Sequence, residues 1–136
     1  MAGNLDGFVG RWELDPTTLH YERGRPGLRA IYTITRTGEG LTFDLDADDA
    51  DGKPMHFVYG GKVDGVDRSY EGYPVTVSLA LLEDGSIESV AKKDGVAIDR
   101  WTRTLVEDGQ ALLICQHKTD EAGNQFRNAG LYRKTE

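Results

Sequence analysis

The sequence predicts an all-β protein: about ten antiparallel strands wound into one up-and-down barrel, with a short cover loop or helical turn. Three observations carry that expectation. Turn signals recur at Gly38-Glu39-Gly40, Asp51-Gly52, Asp64-Gly65, Asp84-Gly85, Asp94-Gly95, Asp108-Gly109 and Gly123-Asn124. Aspartate followed by glycine tolerates the positive φ angles of tight hairpins. Between these turns lie runs of about eight to twelve residues rich in Val, Ile, Thr, Tyr and Leu, the spacing of a meander closed as a barrel or folded as a sandwich. The chain also opens on an amphipathic segment, with Phe8, Gly10, Trp12 and Leu14 on one face and Val9, Arg11 and Glu13 on the other.

The first strand is expected at 8–15. Gly10 leaves room for another element to lie against it, and Trp12 can plug the closed end of a barrel, where its indole N–H needs a partner. The stretch from Asp15 to Gly27 breaks the hairpin rhythm. Asp15 can cap a short helical turn with Pro16 at its first position. Gly24, Pro26 and Gly27 prevent anything long, so residues 16–27 are expected to cover one barrel mouth and to move more than the strands. The remaining strands are expected at 28–37, 41–48, 54–63, 66–71, 75–83, 86–93, 96–106, 110–119 and 125–134. Closure brings first and last strands together, so residues 8–15 should pair with residues 125–134.

With 136 residues, the chain is expected to form one domain, 1–136. Its net charge of −7 and the lack of a basic run argue against nucleic acid or an anionic membrane surface. Cys115 is the one cysteine, so no internal disulfide forms and a reducing compartment fits. Met1 to Asp6 carry neither a basic segment nor an apolar run, so no signal peptide is expected and the cytoplasm is the expected location. The acidic run Asp44 to Asp51 does not fit a calcium loop. Counted from Asp46, the positions that need glycine and glutamate hold Asp51 and Phe57.

Several of these stretches resemble known families. Ala50-Asp51-Gly52-Lys53-Pro54, Val63-Asp64-Gly65, Tyr73-Pro74-Val75, Lys92-Lys93-Asp94-Gly95 and Leu131-Tyr132-Arg133-Lys134 look like a group of small bacterial lipocalin-like proteins, within the calycins. Phe8-Val9-Gly10-Arg11-Trp12-Glu13-Leu14 is similar to the opening of intracellular fatty-acid-binding proteins. Arg103-Thr104-Leu105-Val106, Leu112-Leu113-Ile114-Cys115 and Leu131-Tyr132-Arg133-Lys134 resemble the last strands of that family in order. The resemblance implies a barrel around a fatty acid, whose carboxylate is held by an Arg-x-Tyr pair on the last strand and an arginine two strands earlier. Tyr132 matches the tyrosine and Arg103 the earlier arginine, but Gly130 stands where the paired arginine would be. Residues 15–27 are also too few for the family's two-helix lid. The expectation is therefore a barrel and a binding cavity, without the fatty acid.

Side chains alternate across a strand, so one inward residue fixes its neighbours. If Arg103 points inward, so do Trp101 and Leu105. If Cys115 does, so do Leu113 and His117. If Tyr132 does, so do Phe126, Asn128 and Gly130. The candidate ligand-binding set is Trp101, Arg103, Leu113, Cys115, His117, Phe126, Asn128 and Tyr132. An apolar cavity with a few convergent polar groups is the usual small-molecule site. Arginine among aromatics favours an anionic or polarised head group. His20, His56 and His117 lack metal-ligand spacing, no serine sits on a nucleophile elbow, and no haem motif accompanies His117, so no cofactor is expected. The expected function is binding of a small hydrophobic or amphipathic ligand, anionic ones included. Two alternatives stand beside it. One is an isomerase or lyase using Tyr132, His117 and Arg103 in the same cavity. The other is a packed barrel acting through an oligomer or interaction surface.

Overall fold

Trp12 organises the start of the chain. In the structure, a computed structural model that describes residues 5–69, 74–120 and 122–135, its indole Nε1–H donates to the carbonyl of Phe8 at 3.0 Å. That bond ties strand β1, Gly10–Tyr21, to a short 3₁₀ turn at Leu5–Phe8. Leu5, Phe8 and Trp12 are all buried and plug one end of the sheet. The strand expected from residue 8 thus begins at Gly10, because Phe8 belongs to the plug.

The sheet continues with β2 (Arg29–Thr37), β3 (Gly40–Asp48), β4 (Pro54–Lys62), β5 (Arg68–Ser69), β6 (Thr76–Leu81), β7 (Ile87–Lys93), β8 (Val96–Val106), β9 (Ala111–Thr119) and β10 (Gln125–Lys134). These form one ten-stranded antiparallel sheet in the order β4-β3-β2-β1-β10-β9-β8-β7-β6-β5. The turns follow the Asp-Gly signals: Asp94 and Gly95 both take positive φ, 53° and 80°, as a two-residue hairpin loop requires. For the strand expected at 66–71, residues 70 and 71 lie outside the described residues. Among those described, no helix is long and apolar enough to cross a membrane.

First and last strands pair as expected, with Trp12 opposite Lys134 and Leu14 opposite Tyr132. The edges of the sheet fall elsewhere, at β4 and β5. The sheet curls until these ends approach. Val63 bridges to Leu79, and the Gly65 amide donates to the Leu79 carbonyl at 2.7 Å. The result is a curled half-barrel whose seam lies between β4 and β5–β6.

The segment 16–27 departs from the expected cover. Pro16 does not open a helical turn, and β1 runs on to Tyr21 across a register shift between Asp15 and His20. Proline is tolerated there because the ladder is interrupted. Local side chains replace the missing bonds. The Asp15 carboxylate accepts from the Thr17 amide and hydroxyl at 3.1 and 2.6 Å. The Thr18 hydroxyl donates to the Asp15 carbonyl and accepts from the Leu131 amide at 2.9 Å. The connection to β2 is thereby shortened to residues 22–28.

Opposed residues on neighbouring strands share a face. One such row crosses the sheet as Gly10, Ile34, Phe43 and Tyr59. Another runs through Gly130, Ile114, Arg103, Ile87 and Leu81. Both line the concave face. Around the plug, Ile34, Leu41, Phe43, Leu79, Ile87 and Leu112 are buried as one cluster. Apolar burial at about 25 cal/mol per Å² makes this end the main stabilising region.

Candidate functional site

Arg103 lies above that cluster and is completely buried. Strand β8 puts it there because Ile87 on β7 and Ile114 on β9 flank it on the same face. Its Nη1 donates to the Ser89 hydroxyl at 3.1 Å, and its Nη2 donates to the Tyr59 hydroxyl. The guanidinium carbon sits 4.3 Å from the centre of the Phe43 ring, and the Tyr32 and Tyr59 rings lie at 5.9 and 5.8 Å. The Nε–H has no hydrogen-bond partner among the described residues. No described carboxylate pairs with this cation either. Asp99, on the same strand, accepts instead from the Gln116 amide at 3.2 Å.

Electrostatics keep the guanidinium charged and the phenols neutral. Burial works against the Arg103 charge, but the phenol oxygens of Tyr59 and Tyr32 outweigh it, and its pKa is raised. Burial pushes the Tyr59 hydroxyl well above its ordinary pKa, although Arg103 pulls the other way. Burial also pushes Tyr132 up, helped by Tyr32 and Tyr21. Tyr132 meets Tyr32 edge to face, with ring centres 5.5 Å apart. The site is thus a cation in an aromatic cage with neutral hydroxyls beside it.

The expected residues divide into two groups. Arg103, Trp101, Phe126, Asn128 and Tyr132 lie on the concave side of their strands, as the alternation from Arg103 and Tyr132 requires. Leu113, Cys115 and His117 do not. Arg103 is opposite Ile114 and Trp101 is opposite Gln116, so Leu112, Ile114 and Gln116 face inward on β9. Leu113, Cys115 and His117 therefore face outward, with Thr104, Thr102 and Arg100 opposite them. Cys115 is buried, yet on the outer face. His117 is exposed.

Asn128 also has a different role from the expected one. Its side-chain oxygen accepts from the Glu22 and Arg23 amides at 3.0 and 3.3 Å. It clasps the start of the β1–β2 connection. Arg23 adds a contact with Phe126, its guanidinium carbon 5.1 Å from the ring centre. Trp101 and Tyr132 line a small cleft with Leu14, Leu19, Tyr21 and Gln116, of about 20 Å³. Gly130 is needed in its wall. A Cβ there would lie 3.0 Å from Leu19 and 3.3 Å from Leu14, so those leucines fill the place of a side chain. Phe43, Tyr32, Tyr59 and Ser89 belong to the site and were not expected. Ser89 is a diagonal neighbour on the adjacent strand β7, whereas Tyr32, Phe43 and Tyr59 come from β2, β3 and β4 and are brought to Arg103 by the curl of the sheet. On β4, Phe57 shares the inward face with Tyr59 but remains 43% exposed, so the concave face is open there.

No family model matches the chain, and no curated protein matches it in sequence. Solved structures do match in fold. The wild-type fluorescent protein UnaG superposes with a TM-score of 0.67 at 14% identity, over 97% of this chain and 100% of that one. The zebrafish ileal bile acid-binding protein complexed with cholic acid gives 0.58 at 10% identity, over 95% and 99%. Lobster apocrustacyanin A1 gives 0.52 at 9% identity, over 97% of this chain and 63% of that one. The fold is that of the calycin barrels similar to fatty-acid-binding proteins.

Proposed function

We propose that this protein binds a small, partly hydrophobic molecule on the concave face of its sheet, with an anionic group of the ligand meeting Arg103. The observation that carries the reading is the buried guanidinium with no carboxylate partner and an unmet Nε–H among the described residues. A buried, uncompensated charge costs several kcal/mol, roughly, and a ligand anion offsets that cost. Trp101, Tyr132, Leu14 and Leu19 offer apolar surface to the rest of the molecule. That a barrel of this fold is complexed with cholic acid, an organic acid, supports the reading.

The cleft of about 20 Å³ is far smaller than the roughly 300–1,000 Å³ of common ligand sites. Binding therefore requires aromatic side chains to swing aside or the seam between β4 and β5–β6 to widen. The same small volume favours a second reading, in which the interior stays packed and the protein works through its outer surface.

Two fluorescent probes separate these readings: 1-anilinonaphthalene-8-sulfonate, which is anionic, and 1-anilinonaphthalene, which is neutral. The proposal expects saturable sulfonate binding that weakens about tenfold or more in Arg103→Met, the size of one charge-assisted hydrogen bond. Neutral probe binding should hold. Sulfonate binding unchanged in Arg103→Met would reject Arg103 as the anchor, and no saturable binding of either probe favours the packed interior.

A further inference from the structure

His117 fell outside the concave site, and its actual neighbours suggest another. On the outer face it lies directly opposite Arg100 of β8 on one side and Arg127 of β10 on the other. Three basic side chains thus form one row across three adjacent strands, in a chain whose net charge is −7. The two guanidinium groups thus flank the imidazole from neighbouring strands on one face. Arg100 is held by Glu88 at 3.1 Å. Glu22 is engaged by the Arg127 backbone amide at 2.5 Å rather than by its guanidinium. Among the described residues no carboxylate pairs with the Arg127 or His117 side chain.

The row lines a groove of about 570 Å³, within the roughly 300–1,000 Å³ range of small-molecule sites. Thr102 and Thr119 add hydroxyls to its wall, and its three carboxylates are each engaged, Glu88 by Arg100, Glu22 by the Arg127 amide and Asp99 by the Gln116 side chain. Ile98, pushed out of the ladder where the β7–β8 register shifts, adds exposed apolar surface.

We infer that this groove, at the ends of β8, β9 and β10, is a second ligand site, independent of Arg103, that takes a phosphate monoester. Three terminal oxygens of such a group match a row of three donors, and arginine pairs with phosphate through two parallel bonds. The organic part of the ester lies against Ile98.

The test uses 4-methylumbelliferyl phosphate, with inorganic phosphate and the uncharged 4-methylumbelliferone as comparison probes. Binding is followed by probe fluorescence in the full chain. The ester should bind saturably, more tightly than either comparison probe, and weaken about tenfold or more in the Arg100→Gln/Arg127→Gln double variant. Both positions are on the surface, and circular dichroism checks that the variant folds. The loss caused by the double variant should be the same in an Arg103→Met background, which separates this site from the concave one. Absence of saturable ester binding, or binding that survives the double variant, overturns the site. Equal affinity for inorganic phosphate overturns the assignment to an ester, equal affinity for 4-methylumbelliferone overturns the anion, and a double-variant effect that disappears in the Arg103→Met background overturns the independence of the two sites.

Discussion

Replacing Arg103 with methionine should leave the protein about as stable as before. The variant loses hydrogen bonds to Ser89 and Tyr59, about 1.5–3 kcal/mol each for a charged donor. It also loses the stacking over Phe43, about 1–2 kcal/mol. Against this it removes a fully buried guanidinium, whose desolvation costs several kcal/mol, roughly. It also removes the unmet Nε–H, about 1–3 kcal/mol. Methionine has a similar length and adapts to irregular space, so the apolar contacts are mostly kept. The losses come to roughly 4–8 kcal/mol and the gains are of similar size, so the net change should stay below about 3 kcal/mol. Urea unfolding followed by circular dichroism measures it. A loss of more than about 3 kcal/mol, the value for breaking a needed buried pair, would refute the reasoning, since Arg103 would then be a structural residue.

Trp12→Phe should cost about 1–3 kcal/mol in the same assay, because it removes volume from the plug and leaves the Phe8 carbonyl unmet. Asn128→Ala should speed amide exchange at Arg23, whose amide loses its acceptor, while Glu22 keeps the Arg127 carbonyl at 3.2 Å and Leu112 stays protected. Acid should destabilise the fold through its paired aspartates. The Arg68 side chain holds the Asp64 carboxyl well below its ordinary 3.8, Thr17 and Arg133 lower Asp15, and the Asn124 amide and Arg23 lower Asp120. A lowered folded pKa gives stability that is present above pH 3.8 and lost as pH falls through the folded value. Urea midpoints should therefore drop below about pH 4, and Asp64→Asn should flatten that drop.

Much of the fold was legible because its signals are local. The Asp94-Gly95 turn, the amphipathic β1 and the pairing of Leu14 with Tyr132 follow from turn chemistry, alternation and closure. The path of β1 past Pro16 was not legible, because the Thr18 hydroxyl stands in for a backbone partner. On β9 the alternation itself gave no answer. Leu112 and Ile114 on one face compete with Leu113 and Cys115 on the other, and both sets are apolar. The register to β8 decides between them, and a slip of one residue exchanges the faces. The turn that sets this register is a 3₁₀ segment at Glu107–Gly109 with positive φ at both Glu107 and Asp108. That geometry is not written in the strand pattern, so His117 and Cys115 were expected inside. Arg103 was identifiable as inward, but its partners Phe43 and Tyr59 are distant in sequence and meet it only across the curl.

The central claim is that the Arg103 Nε–H waits for an anion. A ¹⁵N–¹H NMR titration that follows the arginine Nε–H signals, with Arg103 assigned by its loss in Arg103→Met, reads that group directly. The account predicts that adding 1-anilinonaphthalene-8-sulfonate moves the Arg103 Nε–H signal saturably downfield, as a new acceptor arrives. A signal that keeps its position throughout the titration would contradict it.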